Sequence, residues 1–166
     1  MSLHKEIQTQ NRSYLWKFCL YTSLLLLSAL IVFSFYGLYS NRFYFLKVDN
    51  YIFPLFSVLH FVFLYVLNFK IREGEYPDPI MRNIEYGMYA VLLIYIFKCF
   101  DTYYILMSYE EYQSYMIPET FIPIGLLILS LHLLLVGFTF LSFYQRKVLI
   151  GSYEFEQIDK NMNSWQ

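Results

Sequence analysis

The stretch YGMYAVLLIYIFKCFDTYYILM, residues 86–107, is apolar over a length that crosses a bilayer, yet it carries Lys98 and Asp101. At a rise of about 1.5 Å per residue, a hydrocarbon core of about 30 Å needs about 20 helical residues, which this run supplies. Three further stretches of the same kind surround it, at residues 18–38, 51–69 and 120–144. The four runs predict an all-α fold: an integral membrane protein built as an antiparallel bundle of four transmembrane helices. Composition agrees. A chain of 166 residues that is 58% hydrophobic and 15% charged cannot hide its apolar surface inside one soluble core.

Outside the spans the chain is short of everything except polar connectors. Residues 1–17 form a polar N-terminal segment that ends near the interfacial anchor Trp16, and residues 145–166 form a polar C-terminal tail. A polar lead-in of this length, with no small-residue cleavage motif after the first apolar run, predicts a retained helix and not a signal peptide. Pro54 and Pro123 fall in the first turns of their spans, where a missing N–H costs least. Between spans two and three, KIREGEYPDPIMRNIE (residues 70–85) contains Gly74, Pro77 and Pro79, which predict a loop or a short surface element; the third helix then starts near Tyr86 or as early as Met81.

Charge sets the expected orientation. With four spans, both termini and the middle loop share one side, and their basic residues are Lys5, Arg12, Lys17, Lys70, Arg72, Arg82, Arg146, Lys147 and Lys160. The other side has Arg42 and Lys47, with Glu110, Glu111 and Glu119 in its second loop and a run of tyrosines from Tyr36 to Tyr115. By the positive-inside rule both termini are cytoplasmic, and the tyrosines read as an interfacial belt. That placement discounts the glycosylation sequon at Asn11. The setting this predicts is multi-pass, in a plasma membrane or a bacterial inner membrane.

Several side chains within the spans could carry chemistry. Lys98 and Asp101 are spaced i, i+3, close enough to pair on a helix, and an ionisable residue inside a span is a candidate for an ion or proton path. His60 and His132 each lie ten to twelve residues into spans running in the same direction, so they fall at similar depth; two imidazoles at one depth could hold haem b, or could serve a quinone. The bland alternative is that each histidine is a neutral packing residue hydrogen-bonded within the bundle, and that Lys98 and Asp101 are an intrahelical pair. Small and polar residues also recur on single faces: Ser23, Ser34 and Gly37 in the first span, Ser57, His60 and Asn68 in the second, Gly125, His132 and Thr139 in the fourth.

Other classes find no support. Cys19 and Cys99 have neither zinc nor redox spacing and read as small buried side chains, and no metal-ligand cluster stands out. Signatures of hydrolases, metalloproteases and nucleotide-binding loops are lacking, so an enzyme is not expected. A net charge of −1 gives no reason to expect nucleic acid. The leading expectation is a non-catalytic membrane subunit or effector acting through helix–helix contacts, with the lipid bilayer, other membrane subunits or further copies of itself as partners. The alternatives are a redox or transport component using His60, His132, Lys98 and Asp101, and an oligomeric membrane pore.

Overall fold

A computed structural model describes residues 2–112 and 117–153, with side chains for residues 14–111 and 117–153. The side chains of Asn11, Lys5, Arg12, Tyr112, Tyr115 and Lys160 lie outside the described residues. Four helices run up and down: α1 (Ser2–Phe33), α2 (Ile52–Glu73), α3 (Pro79–Met107) and α4 (Phe121–Leu149). Each contains a segment long and apolar enough to cross a membrane. Helix α4 packs extensively on α1 and α3, while α2 packs mainly on α3. One end of the bundle carries both described chain ends and the α2–α3 turn, and is called the terminal end below. The opposite end carries a small antiparallel hairpin, β1 (Tyr36–Gly37) with β2 (Arg42–Phe43), and is called the hairpin end.

The core follows a spacing of three and four residues. Along α4 the inward positions include Phe121, Gly125, Ile128, His132, Leu135, Thr139, Ser142 and Arg146; along α3 they include Met81, Glu85, Met88, Leu92, Tyr95, Cys99 and Thr102. Helices α1 (Trp16, Cys19, Ser23, Leu26, Leu30) and α2 (Phe53, Ser57, His60, Leu64, Leu67) repeat the rule. A 3.5-residue seam keeps one stripe against its neighbours in left-handed packing near 20°. The stripes of α2 and α4 are thus part of this bundle's own interior, with Asn68 half-buried, whereas in the first span only Ser23 is: Ser34 lies past the end of α1 and Gly37 in the hairpin, both half-buried. At Gly125 an added Cβ would lie 2.5 Å from Leu106 Cδ2, so α3 and α4 approach as closely as they do because a side chain is absent there. Inward hydroxyls satisfy themselves on the preceding turn, with Ser57, Thr139 and Ser142 donating to the carbonyls of Phe53, Leu135 and Phe138 at 2.8, 2.7 and 2.9 Å. Cys19 and Cys99 are buried free thiols.

Element bounds depart from the apolar runs in two places. Helix α1 stops at Phe33, five residues before the hydrophobic run does, because Ser34 turns its hydroxyl onto the Ile31 carbonyl and Tyr36–Gly37 enter the hairpin. Hydropathy follows the apolar run, and hydrogen bonding decides where the helix ends. Between α2 and α3 the polar segment is mostly helix. Gly74 caps α2 in the left-handed region at φ 68°, and Asp78 caps α3 by accepting the Met81 N–H at 2.7 Å, with Pro79 at the first turn. Only residues 74–78 remain as loop. They wrap the nearly buried Lys70, whose ammonium reaches Asp78 at 3.0 Å, Glu75 at 3.1 Å and the Tyr76 carbonyl at 3.3 Å.

Candidate functional site

At the hairpin end all four helices and the loop before α2 surround a cavity of about 240 Å³. Its polar lining includes the charged Lys47, Asp49, Lys98 and Asp101 beside Asn50, His132, Ser34 and Thr102. Lys98 donates to Asp101 Oδ2 at 3.3 Å, one turn apart on α3, and both side chains are about one-third exposed, at 32% and 39%. The pair is therefore an intrahelical ion pair opening into a vestibule, in a setting that water can share, and the cost of isolating either charge does not arise. Lys47 and Asp49, both on the segment before α2 and well exposed, form a second, looser pair at 3.9 Å. Asn50 is fixed by its own donation to the Tyr44 carbonyl at 2.9 Å, which ties the hairpin down beside the opening.

His132 is 6% exposed and lines the same cavity. Its Nδ1 lies 3.0 Å from the Ile128 carbonyl oxygen, which can only accept, so the proton resides on Nδ1. Nε2 is left as a lone-pair acceptor. Beneath the cavity the side chains of Leu27, Leu30, Phe53 and Leu135 fill the interior.

His60 lies elsewhere. Its Nδ1 meets the Tyr95 hydroxyl at 3.2 Å, and its ring is fully buried with Nε2 lacking a partner among the described residues. The ring that touches His132 is Phe53, at 5.7 Å between centroids, and Phe53 precedes His60 by two turns of α2, about 10 Å along the axis. Tyr95 packs on both Phe53 and His60, at 5.4 and 5.8 Å. A chain of ring contacts, His132 to Phe53 to Tyr95 to His60, thus connects the two imidazoles. Of the four residues singled out from sequence, the structure brings Lys98, Asp101 and His132 together and leaves His60 in a separate central layer.

A second polar cluster closes the terminal end. Glu85, 2% exposed, receives Arg146 Nη2 at 2.7 Å, the Tyr153 hydroxyl at 2.7 Å and the Tyr89 hydroxyl at 3.2 Å. Arg146 also donates from Nη1 to the Gly151 carbonyl at 3.0 Å and lies 4.5 Å from the centre of the Tyr153 ring. The chain after α4 is thereby folded back onto the pair. Burial, the bond to Glu85 and that carboxylate's charge together raise the Tyr153 hydroxyl well above its usual range. At the α2–α3 turn, burial would raise the Asp78 carboxyl, but the Met81 amide and the Lys70 ammonium outweigh it and hold it below its ordinary value.

Sequence reasoning misses this cluster because it places Glu85 either in the connecting segment or, with the helix starting at Met81, near the headgroups and not in the bundle interior. The available signal was register: Met81, Glu85, Met88 and Tyr95 continue one seam through the polar segment. It also missed Lys47 and Asp49 as vestibule residues, for which no local signal exists. Among the described residues no group of three or more histidine, cysteine or carboxylate side chains could hold a metal ion. The fold defines a class, an all-α bundle of four helices each long and apolar enough to cross a membrane. Compared with known protein families, with curated proteins and with solved structures, the chain has no significant match.

Proposed function

We propose that this chain is a small multi-pass integral membrane protein with both termini cytoplasmic, acting as a non-catalytic subunit or effector through contacts with another membrane helix. The observation that carries the reading is a groove of about 500 Å³ on the outer face of α4, lined by Ser130, Leu133, Leu134, Gly137, Phe138 and Leu141. Unlike Gly125, which is consumed inside the bundle, Gly137 opens outwards, and an added Cβ there would meet nothing within 4 Å. In a bilayer, helices associate by close van der Waals packing at small residues, and a trough at a glycine between leucines suits the ridge of a second helix. Large apolar side chains exposed around the bundle, such as Leu25, Leu55, Tyr65, Leu93 and Phe100, support insertion in lipid. Lys17, Lys70, Arg72, Arg82, Arg146 and Lys147 at the terminal end support a cytoplasmic placement, in a plasma membrane or a bacterial inner membrane. The apolar filling beneath the vestibule favours this reading over an ion-conducting one.

Gly137→Leu fills the groove without touching the bundle interior. It should abolish the hetero-complex or homo-oligomer seen by native mass spectrometry of protein extracted gently from its own membrane, while leaving the helical circular dichroism unchanged. An unaltered assembly in the variant, or a bare wild-type monomer, refutes the proposal. Labelling of Asp49→Cys from outside intact cells, and of Lys147→Cys only after permeabilisation, tests the orientation; the reverse pattern would overturn it.

A further inference from the structure

The vestibule has a chemical character that its role in accommodating Lys98 and Asp101 does not require. Two ammonium groups, Lys47 and Lys98, and two carboxylates, Asp49 and Asp101, line one cavity, contributed by the hairpin loop and by α3. Their charges cancel. A guest bearing a single charge would gain from one half of the lining and be repelled by the other, and an apolar guest would strip water from four charges without replacing it. His132 adds asymmetry. It is buried, its Nδ1 is committed to Ile128, and its Nε2 can only accept, so it adds an acceptor to the two carboxylates of the lining. The lysines supply the donors.

The volume bounds the guest. About 240 Å³ exceeds the cavity of about 150 Å³ that holds a benzene ring, which leaves room for about ten non-hydrogen atoms. Apolar side chains of Leu30, Phe53 and Ile128 complete the lining, and His132 lies about one turn of α4 deeper than Ile128.

We propose that this vestibule binds a small zwitterion, with the ammonium of the guest received by Asp101 and His132 Nε2 and its acid group held by Lys98 and Lys47. Two sources share that chemistry: a free amino acid, and the phosphoethanolamine headgroup of a lipid standing at the mouth. No covalent step is involved. Binding exchanges the internal Lys98–Asp101 contact for two guest contacts of the same kind, so affinity comes from carrying both charges on one molecule.

The test uses the full chain purified in a non-ionic maltoside detergent, with binding followed by calorimetry and by the thermal unfolding midpoint. The probes are alanine, O-phosphoethanolamine, ethanolamine and inorganic phosphate. At least one of the two zwitterions should bind saturably, and at least tenfold more tightly than either single-charge fragment. Binding of phosphoethanolamine alone identifies a headgroup site, and binding of alanine identifies a free solute. Lys98→Gln and Asp101→Asn should each weaken binding at least tenfold. Lys47→Gln, at a loop position that is well exposed and cannot disturb the bundle, should weaken it severalfold and serves if either α3 variant fails to fold. The proposal is overturned if neither zwitterion saturates, if ethanolamine or phosphate binds as well as the zwitterions, or if the folded variants bind like the wild type.

Discussion

Arg146→Met isolates the buried Glu85 carboxylate and offers the sharpest test of how the terminal end is held. In the native bundle Glu85 is 2% exposed and takes the guanidinium at 2.7 Å, with Tyr153 and Tyr89 as further donors. Removing the arginine leaves a carboxylate that burial denies water, with the hydroxyls of Tyr153 and Tyr89 as donors. Breaking a buried pair from one side costs about 3–5 kcal/mol. That corresponds to a loss in folding equilibrium between about a hundredfold and a few thousandfold. Glu85→Leu should cost a similar amount, because it strands the guanidinium. Combining the two removes both charges together, and what remains is the loss of the hydrogen bonds from Tyr153 and Tyr89 to Glu85 and from Arg146 to the Gly151 carbonyl, at about 1 kcal/mol or less each. The double variant should therefore be less damaged than either single one, giving a coupling energy of several kcal/mol in a double-mutant cycle. Reversible unfolding in mixed detergent micelles, followed by circular dichroism, measures all four corners. Additive losses, or an Arg146→Met cost below about 1 kcal/mol, would refute the buried-pair reasoning.

Three further outcomes follow from other parts of the bundle. Gly125→Val forces Leu106 to move and should destabilise by about 1–3 kcal/mol, whereas Gly137→Ala, with open space around it, should stabilise the isolated bundle by about 0.5–1 kcal/mol; equal effects on the thermal midpoint would contradict the assignment of one glycine inside and one outside. Tyr153 keeps its proton beyond the pH, near 10, at which a free tyrosine loses it, so its contribution is complete below that pH and fades as pH rises through the higher folded value. A midpoint measured from pH 8 upwards should fall for the wild type, and Tyr153→Phe should lack that component; matching profiles would remove Tyr153 from the cluster. The Asp78 carboxyl is held below its ordinary value of 3.8, so its support is present above about pH 4 and disappears as pH falls through the lower folded value. Asp78→Ala should cost about 0.5–2 kcal/mol for the lost cap, with more for the exposed side of Lys70, and Asp78→Asn should restore the cap but not the acid sensitivity.

The candidate site was only partly legible. Lys98 and Asp101 stood out because a charge within an apolar run is costly wherever the helix places it, and their pairing follows from i, i+3 spacing alone. That His132 joins them, and that His60 does not, could not be read from counting residues into each span. Equal counts presume helices that begin at the same level, and α2 starts with Phe53 at the layer where α4 has already reached His132. Glu85 is hidden because the prolines before it leave the start of the helix open between Met81 and Tyr86, and neither start says that its carboxylate turns inwards.

Sequence by itself determined what depends on composition and local geometry: four apolar helices, their antiparallel order and the asymmetry of basic residues. Those properties are set by each segment's own hydrogen bonds and transfer energies, with no reference to a neighbour. Tertiary structure alone decided how far each helix is shifted along the bundle axis, and hence that two ammoniums, two carboxylates and one imidazole meet in a single vestibule. Axial shift is fixed by side-chain interlocking such as Leu106 over Gly125 and Arg146 on Glu85, and such contacts join residues that the chain keeps far apart.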